Sequence, residues 1–256
     1  MANLIVDRDD GVVTVTLNRP EVKNAVTTMM WKELADVFDE IAHNTDDRVV
    51  VVTGSGDGFC TGADLADLTA LEMHGLVRMR LVDSAAVALH RLPQPTIAKV
   101  NGVAAGAGCN LALGCDLVVA SDRARFSEIF SRRGLSVDFG GTWLLPRLVG
   151  LHKAKELAFF AEVIDAAEAE RIGIVNRVVP AAELDAVVDD WARRLAEGPP
   201  LALAMSKAML NNSVGPSFEH AIDTEASSQT VNFASKDTAE AFRAFLEKRT
   251  PAFRGE

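Results

Sequence analysis

The sequence predicts an α/β protein in which strands dominate the first half and helices the second. Three observations support this fold class: an alternating hairpin near the N-terminus, short β-branched runs typical of parallel strands, and helical periodicity from about residue 141 onward. With 256 residues, the chain is long enough to bury a large core.

The first elements are a hairpin, a helix and a strand. Residues 3–7 and 12–17 are β-rich and flank a polar turn that ends in Gly11, which is typical of a hairpin. Residues 29–41 carry apolar side chains at helical spacing. Residues 48–54 contain four consecutive valines, which indicates a strand buried on both faces and followed by a glycine-rich loop.

The middle of the chain repeats this order. Residues 68–92 are predicted to form one helix, which Pro93 and Pro95 end. Residues 96–100 form a second buried strand that runs into a glycine-rich turn. A short helix over residues 109–113 follows.

The remaining predictions divide the chain into two parts. A third strand covers residues 116–121, and a short strand over 174–179 interrupts the later helices. One late helix starts at Pro199-Pro200 and another covers 238–248. We therefore expect a core over residues 1–195, and a C-terminal helical section over 196–256 that covers the core or packs against partner subunits.

Composition excludes several classes of function. A net charge of −10 argues against a nucleic-acid binder, and the longest uncharged run, between Lys99 and Asp116, is shorter than the roughly 20 residues of a membrane span. Three cysteines give no disulfide framework, no secretory signal is visible, and the histidines lack metal-ligand spacing. We expect a cytoplasmic protein without a metal, a membrane or a nucleic-acid partner.

Two similar glycine turns are the sharpest feature. Each ends a predicted strand and opens a predicted helix, the first at residues 59–65 and the second at 106–111. Helix N-termini offer unpaired amides, and glycine or alanine lets a ligand approach them, so two converging turns could bind an oxygen on which negative charge develops. The alternatives are close packing alone or, for the second turn, half of a dinucleotide fingerprint, although the third glycine is missing.

Several blocks, in order along the whole chain, resemble the crotonase superfamily of enoyl-CoA hydratases and isomerases. They are Leu17-Asn18-Arg19-Pro20, Lys23-Asn24-Ala25, residues 59–65, residues 100–109, Gly140-Gly141-Thr142, residues 145–150, residues 167–179 and residues 244–253. The resemblance implies a spiral of ββα units, a C-terminal helical section that builds a homotrimer or a dimer of trimers, and an acyl-CoA thioester substrate. It implies no cofactor, since coenzyme A is part of the substrate.

The resemblance also assigns roles to individual residues. It implies that the thioester carbonyl rests on the amides of Ala63 and Ala107. The further residues that it places against the substrate or coenzyme A are Lys23, Ala25, Gly62, Asp64, Leu65, Gly106, Asn110, Phe130, Phe245 and Lys248. Phe245 and Lys248 come from the last helix, in the same or a neighbouring subunit, and Asp64 also caps the helix after the first turn.

The chain departs from the hydratase pattern at both acids. A hydratase of this kind positions water between two glutamates, and the matching positions here hold Asn110 and Phe130, neither of which can act as a general base. Asp138, just before Gly140-Gly141, matches the acid of several isomerases of the superfamily, among them the phenylacetate-pathway branch. One carboxylate suffices for a double-bond shift, so the sequence favours an enoyl-CoA isomerase with Asp138 as acid and base.

Other interpretations stay open. Asp138 could be a helix N-cap, and Glu128, two residues off the expected register, is by default a solvated or ion-paired surface residue. The reaction could be hydration of a trans-2-enoyl-CoA, or the chain could bind acyl-CoA without catalysis. A nucleophilic role for a cysteine has no neighbouring histidine to support it. Residues 66–92 are expected to line the acyl tunnel, but they do not identify the acyl group.

Overall fold

The computed structural model describes residues 2–256, in which strands mix with helices up to residue 179 and only helices follow. The elements are, in chain order, β1 (Leu4–Asp9), β2 (Val12–Leu17), α1 (Thr28–His43), β3 (Val49–Gly54), β4 (Gly58–Cys60), α2 (Leu65–Ala70), α3 (Gly75–Arg91), β5 (Thr96–Val100), β6 (Val103–Ala105), α4 (Ala107–Leu113), β7 (Leu117–Ser121), β8 (Arg125–Ser127), α5 (Gly141–Phe160), β9 (Ile164–Asp165), α6 (Ala166–Arg171), β10 (Arg177–Val179), α7 (Leu184–Ala196), α8 (Pro200–Asn211), α9 (Phe218–Ala234) and α10 (Lys236–Glu247).

A six-stranded sheet forms the first layer, in the order β1-β2-β3-β5-β7-β10. The predicted hairpin is present: β1 and β2 pair antiparallel, and β2 alternates between half-buried and buried residues. The pairs from β2 to β10 are parallel. Every residue of β3 is buried, as its run of valines predicts, because helices cover both faces of this part of the sheet.

A second sheet, in the order β4-β6-β8-β9, was not predicted. Its strands have only two or three residues, which is too short for a periodicity to show in the sequence. Both glycine turns begin at this second sheet, the first after β4 and the second after β6. The two turns are brought together because β4 and β6 pair in parallel.

Two helix predictions need correction. The single helix expected over residues 68–92 is wrong: α2 ends at Ala70 and α3 starts at Gly75, where the ring of His74 accepts a hydrogen bond from the amide of Leu76. Helix α4 starts at Ala107, two residues earlier than expected. The strand expected over 174–179 is confined to β10, because residues 172–176 make the turn that ends α6.

The core lies on both faces of the large sheet. On one face, α1 packs against α3, and the largest buried side chains there include Trp31 and Phe38. On the other face, α7 covers β3, β5 and β7 through Leu184 and Val188. No helix within residues 2–256 combines the length and hydropathy needed to cross a bilayer.

The C-terminal helices leave much apolar surface uncovered. Helix α9 has no buried residue. The large apolar side chains exposed on α8, α9, α10 and their connections include Leu210, Phe218, Phe233, Phe242, Phe245 and Leu246. Helix α8 is attached to the core by Lys207, whose ammonium group lies 2.7 Å from the Asp116 carboxylate. An apolar surface of this extent is typical of a protein interface.

We expect the protein to self-associate through these helices, with a mass in solution about three or six times its 27.4 kDa chain mass. The variant Phe233→Asp should shift the distribution to smaller species, because it places a charge on the face that would be covered. Ile5→Asp, on the exposed side of β1, is the control and should leave the mass unchanged. Light scattering coupled to gel filtration measures both, and a monomeric wild type would contradict the expectation.

Candidate active site

The first glycine turn leaves the amide of Ala63 free of the sheet. Val26 pairs with Ala63 in a parallel bridge: the Val26 amide donates to the Gly62 carbonyl at 2.8 Å, and the Asp64 amide donates to the Val26 carbonyl at 2.9 Å. Since neighbouring residues of an extended chain direct their amides to opposite sides, the Ala63 amide faces away from Val26. Gly62 reaches this geometry with φ of +86°, which glycine tolerates without strain.

The second turn presents the amide of Ala107 at the start of α4. The Gly106 amide donates to the Ser127 carbonyl at 2.9 Å, and the first bond inside the helix runs from the Asn110 amide to the Gly106 carbonyl at 3.1 Å. The amides between these two bonds, starting with Ala107, have no partner within the helix by position. Gly106 has φ of +54°, which turns the chain sharply from β6 into α4.

The two turns touch each other. A Cβ atom placed on Gly62 would lie 2.9 Å from the Ala105 carbonyl oxygen and 3.3 Å from the Ala107 amide nitrogen. A Cβ on Gly108 would lie 2.2 Å from the Cys60 carbonyl oxygen. Only glycine therefore allows this approach, which brings the residue before Ala63 against Ala107. The two turns singled out from the sequence thus lie against each other at one end of the second sheet.

The residues around the first turn are fixed by polar contacts. Asp64 caps α2 by accepting from the amides of Ala66 and Asp67, as predicted, and lies 2.8 Å from the guanidinium of Arg19. Partial burial acts to raise the pKa of Asp64, but the hydrogen bonds from Arg19 and these amides outweigh it and lower the pKa. Arg19 also donates to the Ala25 carbonyl at 2.6 Å, a contact that sequence reasoning missed.

The three other residues predicted near the first turn differ in exposure. Ala25 is buried, with 9% of its surface exposed, and Leu65 exposes 52% at the start of α2. Lys23 lies at the surface and forms an ion pair with Asp57. The structure thus offers one apolar and one cationic side chain beside this turn.

Phe245 and Lys248 lie elsewhere in the single chain. Phe245 exposes 82% of its surface on α10, and Lys248 ends that helix in a left-handed conformation. Helix α10 packs mainly against α9, so within one chain the structure does not bring these two residues to the glycine turns. Their predicted contact with coenzyme A requires a neighbouring subunit.

The two positions that hold glutamates in a hydratase are buried here. Asn110 is fully buried on α4, one helical turn after Ala107. Phe130 is 5% exposed, and its ring lies 3.7 Å from where a Cβ on Gly106 would be. Phe130 therefore forms an apolar wall beside the second turn, and neither side chain can take up a proton.

Asp138 lies next to Asn110 and does not cap α5. The cap residue of α5 is Gly140, which has no side chain to bond, so the N-cap interpretation of Asp138 is wrong. The backbone carbonyl of Asp138 accepts from the side-chain amide of Asn110 and from the Gly141 amide, each at 3.0 Å. Its Oδ1 atom is buried without a hydrogen-bond partner among the described residues. Burial, with a smaller contribution from the Asp83 carboxylate on α3, raises the pKa of Asp138 to about 6.

Glu128 is not the surface residue expected from the sequence. It exposes 3% of its surface, because it follows β8 directly and packs against α4 and α5. The Asn110 side-chain amide donates to its Oε2 at 3.3 Å, and its Oε1 has no partner among the described residues. Burial raises the pKa of Glu128 to about 7, although the bonds from Asn110 and Cys109 act in the opposite direction. No local sequence signal marks its burial, because β8 is too short to show a periodicity.

The three cysteines are poorly suited to act as nucleophiles. Cys60, Cys109 and Cys115 are all buried. Burial raises the pKa of Cys60 and of Cys115 to about 12, and it raises the pKa of Cys109 well above its usual range. These thiols therefore stay protonated and are poor nucleophiles. Residues 2–256 contain no group of three or more histidine, cysteine or acidic side chains that could hold a metal ion.

Comparison with known proteins identifies the family. A family model described as "Enoyl-CoA hydratase/isomerase" matches residues 7–256. The chain belongs to the enoyl-CoA hydratase/isomerase family, within the crotonase superfamily. The family prediction made from the sequence blocks is therefore confirmed.

Individual relatives carry the names of different reactions. The chain is 37% identical to the 1,2-epoxyphenylacetyl-CoA isomerase of Escherichia coli, over 97% of both chains. It is 36% identical to the short-chain-enoyl-CoA hydratase of Clostridium acetobutylicum, over 96% of this chain and 95% of that one. The crystal structure of enoyl-CoA hydratase from Bacillus anthracis superposes over 100% of both chains, with a TM-score of 0.96 and 32% identity. These relatives show the family and the crotonase fold, and they do not decide between hydration and isomerisation.

Proposed function

We propose that the protein shifts a double bond in an enoyl-CoA thioester, with Asp138 as the acid and base. The observation that carries the proposal is the distribution of acids: Asn110 and Phe130 occupy the two hydratase positions, while Asp138 has a partly buried carboxyl, one oxygen of which has no hydrogen-bond partner within residues 2–256. A single carboxylate can remove a proton from one carbon and return it to another on the same face of the substrate.

The amides of Ala63 and Ala107 would hold the thioester oxygen. When the Asp138 carboxylate removes the proton from the carbon next to the carbonyl, the electron pair moves onto that oxygen and a dienolate forms. Two fixed amide donors stabilise the new charge, and one such donor is typically worth about 100- to 1000-fold in rate. The Asp138 carboxyl then returns the proton two carbons further along, so no atom is gained or lost.

Coenzyme A would lie along the first turn. We propose Lys23, Ala25, Asp64 and Leu65 as its contacts, since they lie beside the first turn. Asp64 would contact coenzyme A through its backbone, because its side-chain carboxylate already bonds Arg19 and an amide at the start of α2. Phe245 and Lys248 would complete the site from a neighbouring subunit, consistent with their exposure on α10.

Hydration of a 2-enoyl-CoA is the second candidate. The observation in its favour is Glu128, a second buried carboxyl with a raised pKa of about 7, together with the hydratase names of several relatives. Two points argue against hydration. Asn110 lies between Glu128 and Asp138. A water molecule would also need to be activated and oriented at a site whose two usual acids are replaced.

A single optical signal separates the two reactions. Isomerisation of a trans-3-enoyl-CoA creates a conjugated thioester and raises its ultraviolet absorbance, whereas hydration of crotonyl-CoA removes the conjugation and lowers it. We expect a rapid rise with the first substrate and little change with the second. Rapid loss of the crotonyl-CoA signal would favour the hydratase, and no change with either, despite binding of a coenzyme A thioester, would favour a catalytically inactive binder.

The pH dependence of isomerisation should follow Asp138. Its pKa is raised to about 6, and the base form exists only above that value, so kcat/KM should be high at neutral pH and fall as the pH drops through about 6. The charged groups that face Asp138 are Asp83 on α3 and Glu128 after β8. A pH profile of Glu128→Gln tests the assignment: the fall near pH 6 should remain, and its disappearance would transfer the titration to Glu128.

A further inference from the structure

Glu128 is a buried carboxyl that the proposed proton transfer does not use. It borders a small cavity of about 10 Å³, whose other walls are Cys109, Phe126, Ser127, Leu145, Leu157, Ile164 and Ile174. A cavity of that size holds at most one water molecule. A carboxyl in such mainly apolar surroundings costs stability, so its presence calls for a function.

Asn110 connects Glu128 to Asp138. The Asn110 amide nitrogen, Nδ2, lies 3.0 Å from the Asp138 carbonyl oxygen and 3.3 Å from Glu128 Oε2. A carbonyl oxygen only accepts hydrogen bonds, so the NH₂ end of Asn110 must face Asp138, and its second hydrogen faces Glu128. The Asp138 carbonyl and Glu128 Oε2 therefore both hold the NH₂ end of Asn110, and Glu128 is its one side-chain partner among the described residues.

The backbone that carries Asp138 needs such a restraint. Phe139 has φ of +50° and Gly140 has φ of +79°, two successive left-handed residues, of which the first is not glycine. This conformation is costly for a residue with a side chain and persists only where the surroundings hold it. Phe139 is held by burial, with its ring 5.0 Å from that of Trp31.

The Asn110 amide holds the other side of this turn. A Cβ on Gly141 would lie within 2.6 Å of three Asn110 side-chain atoms, so the start of α5 closes directly onto the amide. The position of Asp138 therefore depends on where the Asn110 amide lies, and the hydrogen bond to Glu128 restrains that amide from the side away from Asp138.

We infer that Glu128 is a positioning residue for Asp138: it holds the Asn110 amide against the Asp138 carbonyl and so orients the carboxylate that exchanges protons with the acyl chain. The inference rests on the proposed isomerase function for its kinetic meaning. Glu128 itself does not touch the substrate, because Asn110 lies between it and Asp138.

Two variants of similar size separate this role from others. Glu128→Gln keeps an oxygen that accepts from Asn110, whereas Glu128→Met keeps the length of the side chain, lacks that acceptor and suits the apolar cavity. We expect kcat of Glu128→Met to fall about 10- to 100-fold while KM stays within about twofold, since small misplacements of a reacting group are costly. Glu128→Gln should keep kcat close to wild type, and thermal unfolding should show both variants folded.

A double-mutant cycle tests the path through Asn110. If Glu128 acts only through Asn110, the variant Asn110→Ala with Glu128→Met should be no slower than Asn110→Ala alone. Additive losses would overturn the inference, as would a Glu128→Gln variant as slow as Glu128→Met, which would show that Glu128 moves a proton itself. An unimpaired Glu128→Met would also overturn it.

Crystal structures of Glu128→Met and Glu128→Gln test the positioning role of Glu128 without a measurement of turnover. The Asp138 carboxyl should be displaced or disordered in Glu128→Met and unchanged in Glu128→Gln. An unmoved Asp138 in Glu128→Met would reject the positioning role even if wild type fails to isomerise any enoyl-CoA. Failure of wild type in the isomerase assay, with Asp138 displaced in Glu128→Met, would instead reject only the proposed function.

Discussion

Replacement of Asp138 by asparagine is expected to abolish double-bond isomerisation, with kcat lowered about 1000-fold or more. The asparagine amide has nearly the same size but cannot take up a proton at neutral pH. The backbone carbonyl of residue 138 should still accept from Asn110 and Gly141, so the turn before α5 stays in place.

The loss should be confined to the chemical step. The amides of Ala63 and Ala107 and the residues near coenzyme A are untouched, so the dissociation constant of a coenzyme A thioester, measured by calorimetry, should stay within about twofold of wild type. A variant that loses binding as well would indicate a disturbed fold.

Asp83→Asn is the matched control for Asp138→Asn. Asp83 is exposed on α3 and faces Asp138, whose pKa it raises. Removing its charge should move the acidic fall in activity to lower pH and leave the rate at pH 8 close to wild type. Activity above about a tenth of wild type in Asp138→Asn would refute the assignment and point to Glu128 as the base.

Replacement of Gly62 by alanine is the second large effect expected, with kcat lowered about 100- to 1000-fold. The added Cβ would lie 2.9 Å from the Ala105 carbonyl and 3.3 Å from the Ala107 amide, so the two turns must move apart. The amides of Ala63 and Ala107 could then no longer share one oxygen atom. A substitution by any residue other than proline leaves the backbone amide in place, so the spacing of the two amides is the property that this variant changes.

Gly134→Ala separates crowding from backbone strain. Gly134 also has a left-handed backbone, with φ of +68°, but apart from its chain neighbours no atom of the described part of the chain would lie within 4 Å of a Cβ there. Both variants should unfold at somewhat lower temperature, because alanine tolerates this conformation less well than glycine. Only Gly62→Ala should lose activity, and equal rates for the two variants would contradict the proposed role of the turns.

Much of the large sheet could be predicted from the sequence, because its strands carry strong local signals. The alternation in residues 12–17 and the valines of residues 49–52 both gave the correct strand and the correct burial. The short strands β4 and β6 could not be found, since three residues show no periodicity and their pairing joins segments more than forty positions apart.

The parts of the candidate site that could be predicted are those in which a glycine or a helix cap indicates the local backbone conformation. The cap at Asp64 and the contact between the glycine turns follow from residue types that suit those conformations. The burial of Glu128 and its link through Asn110 to Asp138 depend on tertiary packing, which leaves no local mark. The break between α2 and α3 did have a signal, Gly75, which the helical periodicity around it outweighed.

The part of the pocket that would bind the thioester oxygen consists of backbone amides. This has a consequence for which substitutions can change recognition of the substrate and which can change the reaction. Every residue except proline carries an amide hydrogen, so changes at positions 63 and 107 leave the donors in place. The proton-transfer half depends on side chains and can change with one or two codon replacements. Recognition of the thioester through these amides would therefore survive substitutions that change the reaction, which is consistent with relatives of 36–37% identity that carry the names of different reactions.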